Sequence, residues 1–269
     1  MKDLSIIGYD SVKEEGVEFK IVPRDDQRKE LGTDSYFGGV MLTNHASLDP
    51  AKYYAGLLKK AKLAGAEVTG NCPAQDIRKD RGVYIITTPK GEIRAKNIII
   101  ATNGYTTNLI PWVQRRVIPI GTYMIATEPL PKALMDNLFP NDRVVSDTCK
   151  VIYYYRPSPD RSRVLFGGRV SADETNPTIS GPILKRDMCR IFPELAKYNY
   201  THSWTGTVAF TFDTLPHLGC HNGIFYAMGY CGSGIGLSSY LGARVGQQLV
   251  GDPEGATAFD SLRFPTRPL

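Results

Sequence analysis

The glycine-rich stretch at residues 223–251 restricts the possible fold more than any other part of this chain. Ile224, Phe225, Tyr226, Ala227 and Met228 form a short apolar run suited to a buried strand. Gly229, Gly232, Gly234 and Gly236 then crowd a turn. Beyond them Leu237, Leu241, Val245 and Leu249 recur every four residues, the apolar stripe of a helix, and Gly251 followed by Pro253 ends it. The pattern predicts strand, glycine turn, helix. The first N–H groups of a helix have no internal partner and carry the positive end of its dipole. Glycines leave that backbone open to close approach. The turn is therefore a candidate site for an anion or an electron-rich oxygen. Close packing of helix on strand is the competing reason for glycine, and it suits Gly242 and Gly246, deeper in the helix.

With 269 residues, 42% of them hydrophobic and 22% charged, the chain can build one large domain or two smaller ones. The net charge of +5 is mild and spread along the chain. It fits a solvated surface, with room for an anionic ligand, and argues against a nucleic-acid partner. The five cysteines, Cys72, Cys149, Cys189, Cys220 and Cys231, are odd in number and form no C-x-x-C motif, so reduced thiols in a cytoplasmic protein are expected. No apolar run approaches the ~20 residues of a membrane span, and no membrane partner is expected. Met1, Lys2, Asp3 and Leu4 do not begin a signal peptide.

Along the chain, residues 17–22 suggest a strand, residues 24–30 a charged helical turn, and residues 36–43 a further strand. Asp49 as N-cap and Pro50 at the first helical position open a helix whose buried face is expected to be Tyr53, Tyr54, Leu57, Leu58 and Ala61, with Gly65 closing it. Ala66, Glu67 and Val68 then read as the start of a strand. Strands at residues 83–87 and 93–95 are punctuated by turn signals. Residues 97–102 form a nearly continuous apolar run, as in a strand covered on both faces. It ends in Asn103, Gly104 and Tyr105, where open α/β sheets place ligands. Residues 115–212 read as a mainly antiparallel, aromatic-rich block: a strand at 117–127, a hairpin of residues 149–156 and 163–169 around the turn at 158–161, a helix opened by Pro182 and stopped by Pro193, and a strand at 203–210. Asn222-Gly223 predicts a tight hairpin leading into the glycine turn.

Several chemistries find little footing. His217 and His221 are four apart, but Gly219, Asn222 and Gly223 break any helix that would align them on a metal. No G-x-S-x-G elbow and no phosphate-loop lysine motif occurs. Cys231 lies near a helix N-terminus, which lowers a thiol pKa, but an inert small side chain explains it as well.

Four stretches in order carry a resemblance to the FAD-dependent oxidoreductases of the D-amino-acid oxidase type, which include glycine oxidase, sarcosine oxidase and gamma-glutamylputrescine oxidoreductase. They are residues 38–68, 98–105, 213–219 and 229–237. Trp204, Thr205 and Gly206, with residues 126–130, look closest to the gamma-glutamylputrescine oxidoreductase-like branch. The resemblance implies an α/β (mixed α+β) fold: a partial, discontinuous Rossmann-like FAD-binding domain at 45–112 and 213–252, an inserted mainly antiparallel substrate-binding domain at 1–44 and 113–212, and a C-terminal tail at 253–269. It implies oxidation of an amine or amino acid by hydride transfer to FAD. Implied cofactor-binding residues are Val68, Ala101, Thr102, Gly104, Gly232, Ser233, Gly234, Ile235, Gly236 and Leu237. Tyr154 and Arg156 would face the substrate, Arg156 gripping a carboxylate. No catalytic residue is singled out, and no metal is expected.

The chain departs from the family pattern in lacking a strand–G-x-G-x-x-G–helix unit, which needs ~30 residues or more. Ser233 stands where the family often has His, and Gly236 where the sarcosine oxidase type has Lys. No cysteine falls in residues 204–212, so non-covalent FAD is expected. Two functional readings follow: a partial flavoprotein, either a fragment or one half of a split enzyme, completed by self-association or by an N-terminal partner chain; or a flavin-free binding or interaction module. A flavin-free enzyme with Cys231 as nucleophile is a third.

Overall fold

The structure is a computed structural model that describes residues 18–149, 152–168, 176–260 and 262–266. Residues 1–17, Lys150, Val151 and Arg169, over which the sequence reading also ran, lie outside the described residues.

The chain begins with β1 (Phe19–Pro23), α1 (Gln27–Glu30) and β2 (Gly38–Leu42), which pairs antiparallel with β1. α2 (Pro50–Leu63) starts where Asp49 and Pro50 predict it: the Asp49 carboxylate accepts from the N–H groups of Ala51 at 3.0 Å and Lys52 at 3.1 Å. Gly65, at φ +90°, closes it. β3 (Asp76–Asp80), β4 (Val83–Thr88) and β5 (Gly91–Ala95) form an antiparallel meander. Arg81 and Gly82, both with positive φ, make its first two-residue turn. There follow β6 (Ile98–Ile100), α3 (Pro111–Gln114), β7 (Ile118–Thr127), α4 (Lys132–Leu138), β8 (Val145–Ser146), β9 (Tyr153–Pro157), β10 (Val164–Gly168), α5 (Pro177–Ile191), β11 (Tyr200–Phe210), β12 (His217–His221), β13 (Ile224–Met228) and α6 (Gly234–Leu249). The fold is mixed α/β, with antiparallel sheets.

Two compact units divide the chain. One comprises Met1–Tyr53 and Gly121–Gly206; the other comprises Tyr54–Ile120 and Thr207–Leu269. The first unit is built on the sheet β11-β7-β10-β9-β8. β10 pairs antiparallel with both β7 and β9, the latter through the turn at 158–161. Alternation along these strands sends Tyr123, Ile125, Tyr155, Val164 and Phe166 to one face, where Leu184, Met188 and Ile191 of α5 cover them. The aromatics of the block read from the sequence thus largely form an ordinary sheet core.

The second unit contains the meander and the sheet β12-β13-β6, in which β13 runs antiparallel to β12 and parallel to β6. Ile100, Val113, Val117, Tyr226 and Met228 form one apolar cluster, and Leu218, Ala227, Leu241 and Val245 another, under α6. Asn222 (φ +51°) and Gly223 (φ +81°) make the tight β12–β13 turn that their sequence announces.

The structure departs from the sequence reading in four places. α2 has no buried residue: Tyr54 is 66% exposed and Leu57 44%, because no described element covers its apolar face. β6 is an edge strand of three residues, not a strand covered on both faces, and Ile99 is 40% exposed. Ala66, Glu67 and Val68 join no sheet. α5 starts at Pro177, five residues before Pro182, because the Asn176 side chain accepts from the Thr178 N–H at 2.9 Å and caps it there. Pro182 lies inside the helix.

Candidate functional site

The carboxyl ends of the two parallel strands β6 and β13 lie together, and the loops that leave them are bonded to one another. Asn103, just after β6, adopts φ +46°, a left-handed conformation that asparagine tolerates better than most residues. Its Oδ1 accepts from the Gly229 N–H at 2.9 Å. Gly229 is at φ +78°, and a Cβ there would overlap the Thr211 methyl group, so glycine is required. The Cys231 N–H donates to the Ala209 carbonyl at 3.1 Å, and the Ser233 N–H to the Tyr230 carbonyl at 2.9 Å.

The turn delivers the chain to the N-terminus of α6 with its donors free of side-chain caps. Ser233 occupies the cap position but makes no capping bond. A Cβ at Gly232 or Gly236 would meet no atom within 4 Å, and one at Gly234 only the Tyr230 side chain at 3.8 Å. Gly232, Ser233, Ile235 and Gly236 are exposed. An uncapped helix start on open backbone with glycine at alternate positions suits an electron-rich ligand edge, so these residues fit a flavin ring at this place. Leu237 is half-buried and packs on the apolar cluster under α6.

Other residues singled out from the sequence divide. Ala101 and Thr102 are exposed in the same strand-end loop, with Thr102 Oγ1 2.7 Å from Thr106 Oγ1. Gly104 is buried, and a Cβ on it would stand 2.6 Å from the Thr207 carbonyl oxygen; close packing against β11 accounts for that glycine. Val68 stands apart, exposed and outside every sheet. In the other unit, Tyr154 and Arg156 lie on the face of β9 opposite the core and are half-buried. Gly167, the cross-strand partner of Tyr154, has no room for a Cβ beside the Tyr154 ring and the Met124 sulfur. The Arg156 guanidinium donates to the Leu48 carbonyl at 2.8 Å and the Pro157 carbonyl at 3.2 Å, and it forms no ion pair among the described residues.

His217, Asp213, His221 and Cys231 of the second unit are engaged in local contacts. His217 is buried and shares its Nε2 with the Asp213 carboxylate at 3.0 and 3.1 Å. Burial pushes the Asp213 carboxyl up, but bonds from His217, the Leu215 N–H and Thr211 outweigh it and hold it below the ordinary range. His221 stacks on Trp112 at 3.9 Å, with the Arg116 guanidinium also 3.9 Å from the Trp112 ring. Burial and then the Arg116 charge push the His221 pKa down. Among the described residues no three metal-ligating side chains gather. The Cys231 thiol donates to the Gly229 carbonyl at 3.2 Å and approaches Thr211 Oγ1 at 3.5 Å, which ties it into the turn. Asn103 and Thr211 belong to the site although the sequence reading assigned them no role; the signal for Asn103 was an asparagine directly at a strand end.

Comparison with known proteins bears on this arrangement. The "Probable oxidoreductase OrdL" of Haemophilus influenzae is 30% identical over 245 residues, covering 89% of this chain and 56% of that protein. The "Gamma-glutamylputrescine oxidoreductase" of Escherichia coli is 28% identical over 237 residues, covering 87% of this chain and 55% of that protein. The chain thus spans little more than half the length of these curated relatives. The crystal structure of glycine oxidase from Geobacillus kaustophilus superposes with a TM-score of 0.77 at 21% identity, over 96% of this chain and 69% of that one, a likeness of fold. The family model described as "FAD dependent oxidoreductase" matches residues 4–248. The resemblance carried by the four motifs is borne out, and this chain belongs to the FAD dependent oxidoreductase family of the DAO type.

Proposed function

We propose that this chain holds the ring end of FAD, non-covalently, at the turn between β13 and α6, and acts in the oxidation of an amine or amino acid. The observation that carries the reading is the uncapped start of α6 on Gly232, Gly234 and Gly236, with open space where side chains would stand. FAD, when bound, supplies the hydride acceptor for a CH–NH donor. The N–H groups of Gly234, Ile235 and Gly236 would offer donors to the electron-rich edge of the ring. Ala101 and Thr102, in the strand-end loop, would contact the dinucleotide; Val68 is proposed for its adenine side.

On the sheet of the other unit, Arg156 is proposed to bind a substrate carboxylate. Among the described residues its guanidinium is bonded only to carbonyl oxygens, so its charge remains available to an anion. Tyr154 beside it offers an aromatic surface to the same substrate. The 28% identity to gamma-glutamylputrescine oxidoreductase supports an amine carrying an acidic group as the substrate class. The domain assignment that goes with this reading places the cofactor on residues 45–112 and 213–252 and the substrate on 1–44 and 113–212.

The sequence contains no G-x-G-x-x-G to cradle the pyrophosphate. The edge of β6, unpaired among the described residues, and the exposed apolar face of α2 support completion of the cofactor site by a further strand-bearing unit, from another part of the polypeptide or from a second chain. An absorbance spectrum of the purified protein, taken before and after excess FAD is added and free FAD removed, tests the reading. Retained flavin bands, bleached by amine substrate under exclusion of air, are expected. A colourless protein after loading would leave the flavin-free binding module as the reading.

A further inference from the structure

We infer that Asn103 is a positioning residue for the cofactor turn: its side chain fixes where the α6 N-terminus sits. This deepens the reading above and rests on it for the flavin part. The turn from Gly229 to Ser233 has few anchors. The Cys231 and Ser233 N–H groups bond to the backbone carbonyls of Ala209 and Tyr230, which do not depend on side-chain identity. Beside the approach of the Cys231 thiol to Thr211 Oγ1 at 3.5 Å, the side-chain tether at the first residue of the turn is the bond from the Gly229 N–H to Asn103 Oδ1. Gly229 is buried, so without that acceptor its N–H is left unpaired away from water.

Asn103 is itself held firmly enough to act as an anchor. The Thr106 N–H and hydroxyl both donate to the Asn103 carbonyl, at 3.2 and 2.8 Å. Gly104 wedges against the Thr207 carbonyl, and the Tyr105 hydroxyl accepts from the Thr207 N–H at 3.1 Å. The strand-end loop is therefore fastened to β11 on one side and, through a single side chain, to the cofactor turn on the other. The residue at this point must adopt φ +46° and carry an acceptor one carbon beyond Cβ. Asparagine and aspartate meet both conditions; glycine meets only the first.

The test compares the full chain with Asn103→Gly, which keeps the backbone relaxed and removes the acceptor, and Asn103→Asp, which keeps the acceptor. Hydrogen exchange of the Gly229 to Gly236 amides is read by NMR without flavin, and FAD affinity by quenching of flavin fluorescence. Asn103→Gly is expected to speed exchange at Gly229 about tenfold, the effect of losing one hydrogen bond of ordinary net strength, and to weaken FAD binding about as much. Amides of β4 should be unchanged, and Asn103→Asp should restore both readouts. Gly229 exchange equal to wild type in Asn103→Gly, unchanged FAD affinity despite faster exchange, or failure of Asn103→Asp to rescue would each overturn the inference. If Asn103→Gly does not fold, Asn103→Ser replaces it with the same expectations. A wild type that takes up no FAD defeats the flavin reading alone, and the exchange data then decide the role of Asn103.

Discussion

A buried glycine with positive φ and a titrating histidine give the sharpest residue-level expectations. Gly229→Ala places a methyl group onto the Thr211 side chain and holds alanine at φ +78°. It should cost about 1–3 kcal/mol in a urea denaturation series. Burial, where His221 stacks on Trp112, and then the Arg116 charge push the His221 pKa down. Its folded pKa lies below the ordinary value, so in acid the unfolded chain binds a proton that the folded chain refuses. That contribution to stability is fully present above an ordinary histidine pKa of about 6.5 and is lost as pH falls through that value towards the depressed one. The melting temperature should therefore fall between pH 7.5 and 5.5. His221→Phe, which keeps the stack on Trp112 without a titrating group, should flatten the decline; an unchanged slope in that variant would remove His221 from the account. In the other unit, burial and the Asp187 carboxylate push the Tyr153 hydroxyl up to about 12, so it stays protonated across this range.

At the level of helices, local signals and packing part ways. α6 is built as its stripe requires: Leu241 and Val245 are buried on the sheet. Leu241→Ala should cost about 2–5 kcal/mol, measured by chemical denaturation. On the opposite side, Gly236→Leu adds a side chain where a Cβ meets nothing within 4 Å among the described residues. It should leave the melting temperature within a few degrees of wild type while abolishing FAD retention, a combination that packing glycines would not produce. Asp49 and Pro50 start α2 as expected, yet its apolar side chains remain exposed; capping is local, whereas burial needs a partner element. α5 shows how one signal misleads without another. Pro177 and Pro182 are both candidate first residues, but only Pro177 follows a residue whose side chain accepts from the backbone, and the helix begins there.

Across the molecule, each unit has its own core, and among the described residues β6 has an unpaired edge and α2 an uncovered face. An open strand edge and exposed apolar side chains each favour association with further chain. The protein is expected to self-associate, and light scattering should give a mass above that of one chain; a strictly monomeric protein at micromolar concentration would count against it. Five unpaired cysteines contribute no cross-link to either unit.

The order of motifs was enough to identify the family, because strand–turn–helix signals act over a few residues and survive without long-range context. The tight turn at Asn222-Gly223, the cap at Asp49 and the glycine turn before α6 all belong to that class. Burial does not, because it depends on which elements arrive from elsewhere in the chain. Hence Ile99 reads as core but sits on an edge strand, and Tyr54 reads as a buried helix face but meets solvent. Gly104 reads as a cofactor contact, and the structure adds a second reason for its missing side chain, a carbonyl on β11 some hundred residues away. The bond from Gly229 to Asn103 spans 126 residues, and no spacing rule announces it. Only the parallel pairing of β6 with β13 brings those two strand ends together.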